Sequence, residues 1–183
     1  LPKGMLPMCY PADFTDHKYI PNWAMFYVIE TYDAYLRTGD FSVAEKNRKN
    51  ILGAIGFFDR YRNEEGLLEN LESWIFVEWS MANDDDYICG VNYPSNMLYA
   101  KALECAGQMY SIGEYLERAE KIRAVIEKES FNGEFFEDNR TRKDGKLIAT
   151  GHTTETCQYY AFFCGVATPQ TYPELFRKLV DHF

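Results

Sequence analysis

One pattern constrains this chain more than any other. A helix that is apolar nearly all round is followed by a helix apolar on a single stripe, and the alternation comes round three times. Residues 22–37, NWAMFYVIETYDAYLR, put apolar side chains at almost every azimuth, which predicts a helix buried on all sides. Thr38-Gly39-Asp40 ends it, with Gly39 suited to the left-handed C′ position. The next helix, expected from Ser42 to Arg62, gathers Ala44, Ile51, Leu52, Ile55 and Phe58 on one stripe. Glu45, Lys46, Arg48 and Lys49 then face water. Asp40 or Ser42 is its expected cap, and Ser42-Val43-Ala44-Glu45 fits a capping box. In the second cycle Pro94 suits a first helical turn, residues 95–110 are again apolar and small, and Gly113 is read as the breaker. A stripe of Tyr115, Leu116, Ala119, Ile122, Val125 and Ile126 follows. The third cycle pairs TTETCQYYAFFCGVA, residues 153–167, with an amphipathic helix over 173–183.

Three inner–outer helix pairs predict an all-α fold: half of an (α/α)6 six-hairpin toroid, whose inner helices ring an axial pocket. A six-helix bundle or a tetratricopeptide-like array is the alternative. No 34-residue period is present, and the connectors are too unequal for a simple solenoid. Residues 63–93 form one long connector. Another, 131–148, reads as a short β-hairpin insertion with Asp144-Gly145 as its turn. Connectors this long in a compact domain are usually functional. Residues 1–183 are read as a single segment. It opens with an irregular stretch holding four of the seven prolines. With no initiator Met at Leu1 and an end inside a helical pattern, the chain is expected to be a fragment of a longer multidomain protein.

Composition excludes several functions. A hydrophobic share of 46% argues against disorder. The net charge of −9 with scattered basic residues argues against a nucleic-acid or anionic-membrane surface. No apolar run approaches the roughly 20 residues of a bilayer span, and the compartment, cytoplasm or periplasm, is left open. Five cysteines without CxxC spacing argue against both a zinc site and a complete disulfide framework, so they are expected to act as mostly buried hydrophobes. Nothing in the pattern calls for a cofactor or a metal.

The stretch SWIFVEWS, residues 73–80, sets Glu78 among aromatic and aliphatic side chains. An unpaired acid there is costly to bury, so it is turned to water, paired or functional. Together with residues 19–40, 90–110 and 152–167, this segment resembles successive blocks of the α-L-rhamnosidase catalytic domain of glycoside hydrolase family 78. Nearly the whole chain is covered, in the family's order. The family carries Trp–x–Phe–Val–Asp/Glu–Trp where Trp74 to Trp79 stand, with Glu78 in place of the commoner Asp. The resemblance implies a carbohydrate substrate: terminal α-L-rhamnosides, hydrolysed with inversion by a carboxyl acid and a carboxylate base about 6.5–9.5 Å apart. It places the acid before the first block here and the base after the last, so no catalytic residue is assigned within this chain, and the fragment alone is expected to be inactive. A non-catalytic carbohydrate-binding or scaffold domain, or another (α/α)6 glycosidase or lyase, is the competing reading.

Candidate substrate-binding residues follow. Trp74 and Trp79 either line the pocket or belong to the core, and strand-like alternation would set them on differing faces. Glu78 positions rather than reacts, or is satisfied by a backbone N–H or an arginine. Asn92, Tyr93 and Asn96 begin the second inner helix, Trp23 with Asn22 the first, and His152 precedes the third, where Thr153 or Thr154 caps the helix. These three helix starts are expected to share one rim. Asp84-Asp85-Asp86 reads as a solvated loop rather than a metal site. The exposed inner faces of a half toroid predict dimerisation or rearrangement.

Overall fold

The computed structural model describes residues 1–9 and 18–182. Its helices are α1 Pro21–Thr38, α2 Ser42–Phe58, a short α3 Asp85–Ile88, α4 Tyr93–Tyr110, α5 Gly113–Ser130, α6 Glu155–Phe163 and α7 Pro173–Asp181. Three strands, β1 Val91–Asn92, β2 Asn139–Lys143 and β3 Lys146–Ala149, form one antiparallel sheet in the order β1-β2-β3.

The alternation read from the sequence is the architecture. Fifteen of the eighteen residues of α4 are buried, which makes it the central stave. It packs between α1 and α6 on the inside and against α5 on the outside. Met97, Leu98 and Leu103 are each 0% exposed, and a fully buried side chain of this size contributes about 1.5–3 kcal/mol. By contrast α5 buries only Ala119, Ile122, Ile126 and Ser130. Helix α1 buries Ala24, Met25, Val28 and Ile29 against α2 and α4, while Trp23 stays open. Phe162 of α6 meets Phe176 of α7 at 5.5 Å. The chain is thus three inner–outer pairs of a six-hairpin toroid with a small sheet inserted.

Local chemistry sets the element ends. Gly39 takes φ 71° and donates to the Tyr35 carbonyl at 2.8 Å, as expected. Asp40 Oδ1 accepts the Ser42 N–H at 2.8 Å. The capping box does not form, because Phe41 holds the N-cap position and Ser42 already lies in the first turn. That helix also stops at Phe58 rather than Arg62, passing into a 3-10 turn. Gly113 is not the breaker: Ser111, at φ 56°, takes the left-handed position and Gly113 opens α5. The glycine that matters here is Gly107, where a Cβ would lie 2.7 Å from Leu116 Cδ2, so its absence lets α5 close onto α4.

The β-hairpin forms with a two-residue turn in which Asp144 and Gly145 both have positive φ, 49° and 79°, the type I′ geometry that matches strand twist. Its third strand was not legible. Val91 pairs with Arg140 and Asn92 with Asn139, and a Cβ on Gly90 would sit 2.2 Å from the Arg140 carbonyl oxygen. Helix α6 is shorter than the apolar run suggests, since Gly165 at φ 75° turns the chain and the Val166 and Ala167 N–H groups bond back to the Ala161 carbonyl. Cys105, Cys157 and Cys164 are buried as expected, whereas Cys9 and Cys89 are exposed. Among the described residues no helix is long and apolar enough to cross a membrane.

Candidate functional site

The connector between the first two helix pairs runs across the N-terminal ends of all three inner helices. At α1, the Tyr19 N–H donates to Ser73 Oγ at 3.1 Å, Ser73 Oγ donates to the Tyr19 carbonyl at 2.8 Å, and Asn22 Oδ1 accepts the Phe76 N–H at 3.2 Å. At α4, Asn96 Oδ1 accepts the Leu68 N–H at 2.6 Å while its amide donates to the Leu68 and Asn92 carbonyls, each at 2.9 Å. At α6, the Tyr160 hydroxyl donates to the Val77 carbonyl at 2.9 Å, and Thr156 Oγ1 lies 3.3 Å from Ser80 Oγ. Irregular backbone needs such partners, because buried N–H and C=O groups left unpaired are costly. The expected shared rim therefore exists.

What the rim presents is aromatic. Ile75 and Val77 turn inward, 4% and 3% exposed, while Trp23, Trp74 and Trp79 are 42%, 39% and 79% exposed. Phe76 is the hub: its ring centroid lies 6.1 Å from Trp23, 6.0 Å from Trp74 and 4.8 Å from Trp79. Trp74 and Trp79 meet edge to face at 6.3 Å. Every tryptophan of the chain is in this cluster. The expectation that Trp74 and Trp79 occupy differing faces is corrected. Residues 73–80 are not an extended strand: Ser73 has φ 74°, and the Ser80 N–H bonds back to the Glu78 carbonyl at 2.8 Å, folding the segment at Trp79. Glu78 is exposed, and its Oε1 accepts the Trp79 N–H at 2.6 Å, which is the satisfied-acid alternative.

Three other candidates are corrected. Asn92, Tyr93 and Asn96 are 3%, 0% and 0% exposed, so they do not face a pocket. Asn92 Oδ1 accepts the Ser95 N–H at 2.9 Å as the cap of α4, and Asn96 is spent on the connector. Tyr93 puts its hydroxyl inside near Glu129, Glu137 and Arg140, and burial raises its pKa. His152 is half-buried and stacks on Tyr87, 4.0 Å between centroids and 17° between planes, with Nδ1 buried and without a hydrogen-bond partner among the described residues. Thr154 caps α6, accepting the Cys157 N–H at 3.1 Å. Asp84, Asp85 and Asp86 are exposed at the start of α3. Among the described residues no group of three or more His, Cys, Asp or Glu side chains could hold a metal.

Sequence reasoning missed Phe76 as the hub and Asp138 altogether. Asp138 is 0% exposed. Its carboxylate accepts both the Thr154 N–H and the Thr154 hydroxyl at 2.6 Å, and its backbone joins the Tyr93 N–H to the His152 carbonyl, both at 2.8 Å. Burial raises its pKa, against the lowering by the two Thr154 bonds. As one of three acids in EFFED, residues 134–138, it gives no periodic signal that would single it out.

Half a helical-hairpin toroid with an aromatic rim over the inner-helix starts is the architecture of a six-hairpin glycosidase domain. Residues 1–182 match the family described as the bacterial alpha-L-rhamnosidase 6 hairpin glycosidase domain, and the chain belongs to that family. Among solved structures it is similar to a GH78 family rhamnosidase of Bacillus sp. GL1, with 18% identity and a TM-score of 0.70, over 92% of this chain and 18% of that one. It is also similar to a rhamnosidase from Klebsiella oxytoca solved with rhamnose bound, with 14% identity and a TM-score of 0.68, over 97% of this chain and 34% of that one. The chain thus spans about a third of the length of one and under a fifth of the other. Among curated proteins no match is found.

Proposed function

We propose that this chain supplies one wall of the sugar site of an α-L-rhamnosidase, an inverting glycoside hydrolase that removes terminal α-L-rhamnose. The observation that carries this reading is the exposed cluster of Trp23, Trp74, Phe76 and Trp79 over the inner-helix starts. Aromatic faces bury the C–H surface of a deoxy sugar, and polar groups at their edges fix its hydroxyls. Family membership supports the same substrate class. The acid and base lie in segments of the full-length protein outside this chain, so Glu78, whose Oε1 accepts the Trp79 N–H, takes no catalytic role.

A panel of p-nitrophenyl glycosides tests the reading on the full-length enzyme. Release from the α-L-rhamnoside is expected, and release from another sugar but not from this one would sink it. In that enzyme Trp74→Ala is expected to lower kcat/KM by about ten- to thirtyfold, the worth of roughly 1.5–2 kcal/mol of aromatic contact, with the fold retained. The chain by itself is expected to release no p-nitrophenol.

A further inference from the structure

We infer that Asp138, buried behind the rim, is a positioning residue for the tryptophan wall; the inference rests on the rhamnosidase reading for what the wall binds. The chain of contacts is continuous. The Asp138 carboxylate grips the backbone and side chain of Thr154, the cap of α6. Two residues on, Thr156 Oγ1 meets Ser80 Oγ at 3.3 Å, and one turn later the Tyr160 hydroxyl donates to the Val77 carbonyl at 2.9 Å. These two contacts bracket Glu78 and Trp79, the part of the connector that carries the most exposed tryptophan. The first two turns of α6 are therefore the abutment for the outer side of the wall, and Asp138 fixes where they begin.

The same residue ties this abutment to the neighbouring inner helix. The Asp138 carbonyl accepts the Tyr93 N–H at the first residue of α4, and its N–H donates to the His152 carbonyl. Nothing else in the described residues joins the starts of α4 and α6 through one side chain and one peptide. Ligand-contacting groups must be held to within about half an ångström by packing and hydrogen bonds behind them, and a 0% exposed carboxylate whose two oxygens accept from one threonine is rigid enough for that task.

All three tryptophans of this chain lie on the rim, so differences in emission between variants that change only this chain report its geometry. The full-length enzyme is compared with its Asp138→Ala, Asp138→Asn and Thr156→Val variants by emission maximum, acrylamide quenching, and titration with L-rhamnose. Without sugar, Asp138→Ala and Thr156→Val are expected to shift the emission and raise the quenching constant. Asp138→Asn, which keeps an oxygen for the Thr154 N–H, is expected to restore both. With sugar, Asp138→Ala is expected to bind roughly tenfold more weakly while Asp138→Asn stays within about threefold, the scale of a small misplacement of contacting groups. Emission and quenching unchanged in both Asp138→Ala and Thr156→Val would overturn the inference. So would an unfolded Asp138→Ala beside a Thr156→Val with unaltered emission, since Asp138 would then serve stability alone. A folded wild type whose emission ignores L-rhamnose would count against the sugar reading, and the sugar-free comparison would still decide the positioning role.

Discussion

The inner-helix starts and the connector that crosses them invert the usual distribution of residues. Asn22 and Asn96, in the first turns of α1 and α4, are both 0% exposed, while Trp79, on the connector they hold, is 79% exposed. The buried amides serve backbone groups that no helix or sheet satisfies: Asn96 completes Leu68 on both its N–H and C=O, and Asn22 bridges the Phe76 N–H and Ser95 Oγ. The exposed rings meet mainly one another. These two polar residues at the helix starts are thus structural while the rings stay exposed, which suits the proposed contact with a sugar's C–H face.

That contrast can be broken from the polar side first. Asn96→Ala leaves the Leu68 N–H and C=O without their side-chain partner in a buried place. It is expected to cost about 2–4 kcal/mol in urea unfolding, with Asn22→Ala costing about 1–3. A loss below 0.5 kcal/mol for Asn96→Ala (an order-of-magnitude threshold, about the scatter of surface substitutions) would show that the amide is replaceable.

A smaller effect is expected where the connector is clipped to the sheet. Arg142 Nε and Nη2 donate to the two Glu69 oxygens at 2.9 and 2.8 Å. Arg142, first through this hydrogen bonding, holds the Glu69 carboxyl below its ordinary value of 4.5. A lowered folded pKa stabilises at pH above the unfolded value, and that contribution is lost as pH falls through the folded one. Glu69→Gln is therefore expected to cost about 0.5–1 kcal/mol at pH 7, the range of partly exposed pairs. The deficit should vanish in acid, below the folded pKa. A deficit that persists there would reflect packing rather than charge. Asp138 and Glu137 act in the opposite sense: burial raises both, so their ionisation costs stability as pH rises through their folded values.

The smallest stability change is expected on the aromatic side. Trp79→Ala should leave the unfolding free energy within about 0.5 kcal/mol, as for a surface substitution, while emission drops. A loss of several kcal/mol would place Trp79 in the core and remove the contrast.

How much of this was legible in the sequence follows from range. The inner–outer alternation, the Gly39 and Thr154 caps and the Asp144-Gly145 turn each depend on neighbours a few residues away, and each stands as read. The rim was located through its helix starts, yet its polar residues were assigned to the ligand, because a sequence does not say whether an Asn faces water or a carbonyl 28 positions back. Gly113 and the expected split of Trp74 from Trp79 failed for a related reason. A left-handed Ser111 and a bend at Trp79 arise from how α5 and the connector must close on what lies beneath them.

The sequence by itself determined which helices are buried all round and which carry one stripe, because burial of apolar surface follows periodicity. Only the tertiary structure decided which polar groups at the helix starts are spent and which rings stay open. That choice depends on pairings such as Asp138 with Thr154, Asn96 with Leu68 and Tyr160 with Val77. Each joins distant segments, and no local pattern encodes it.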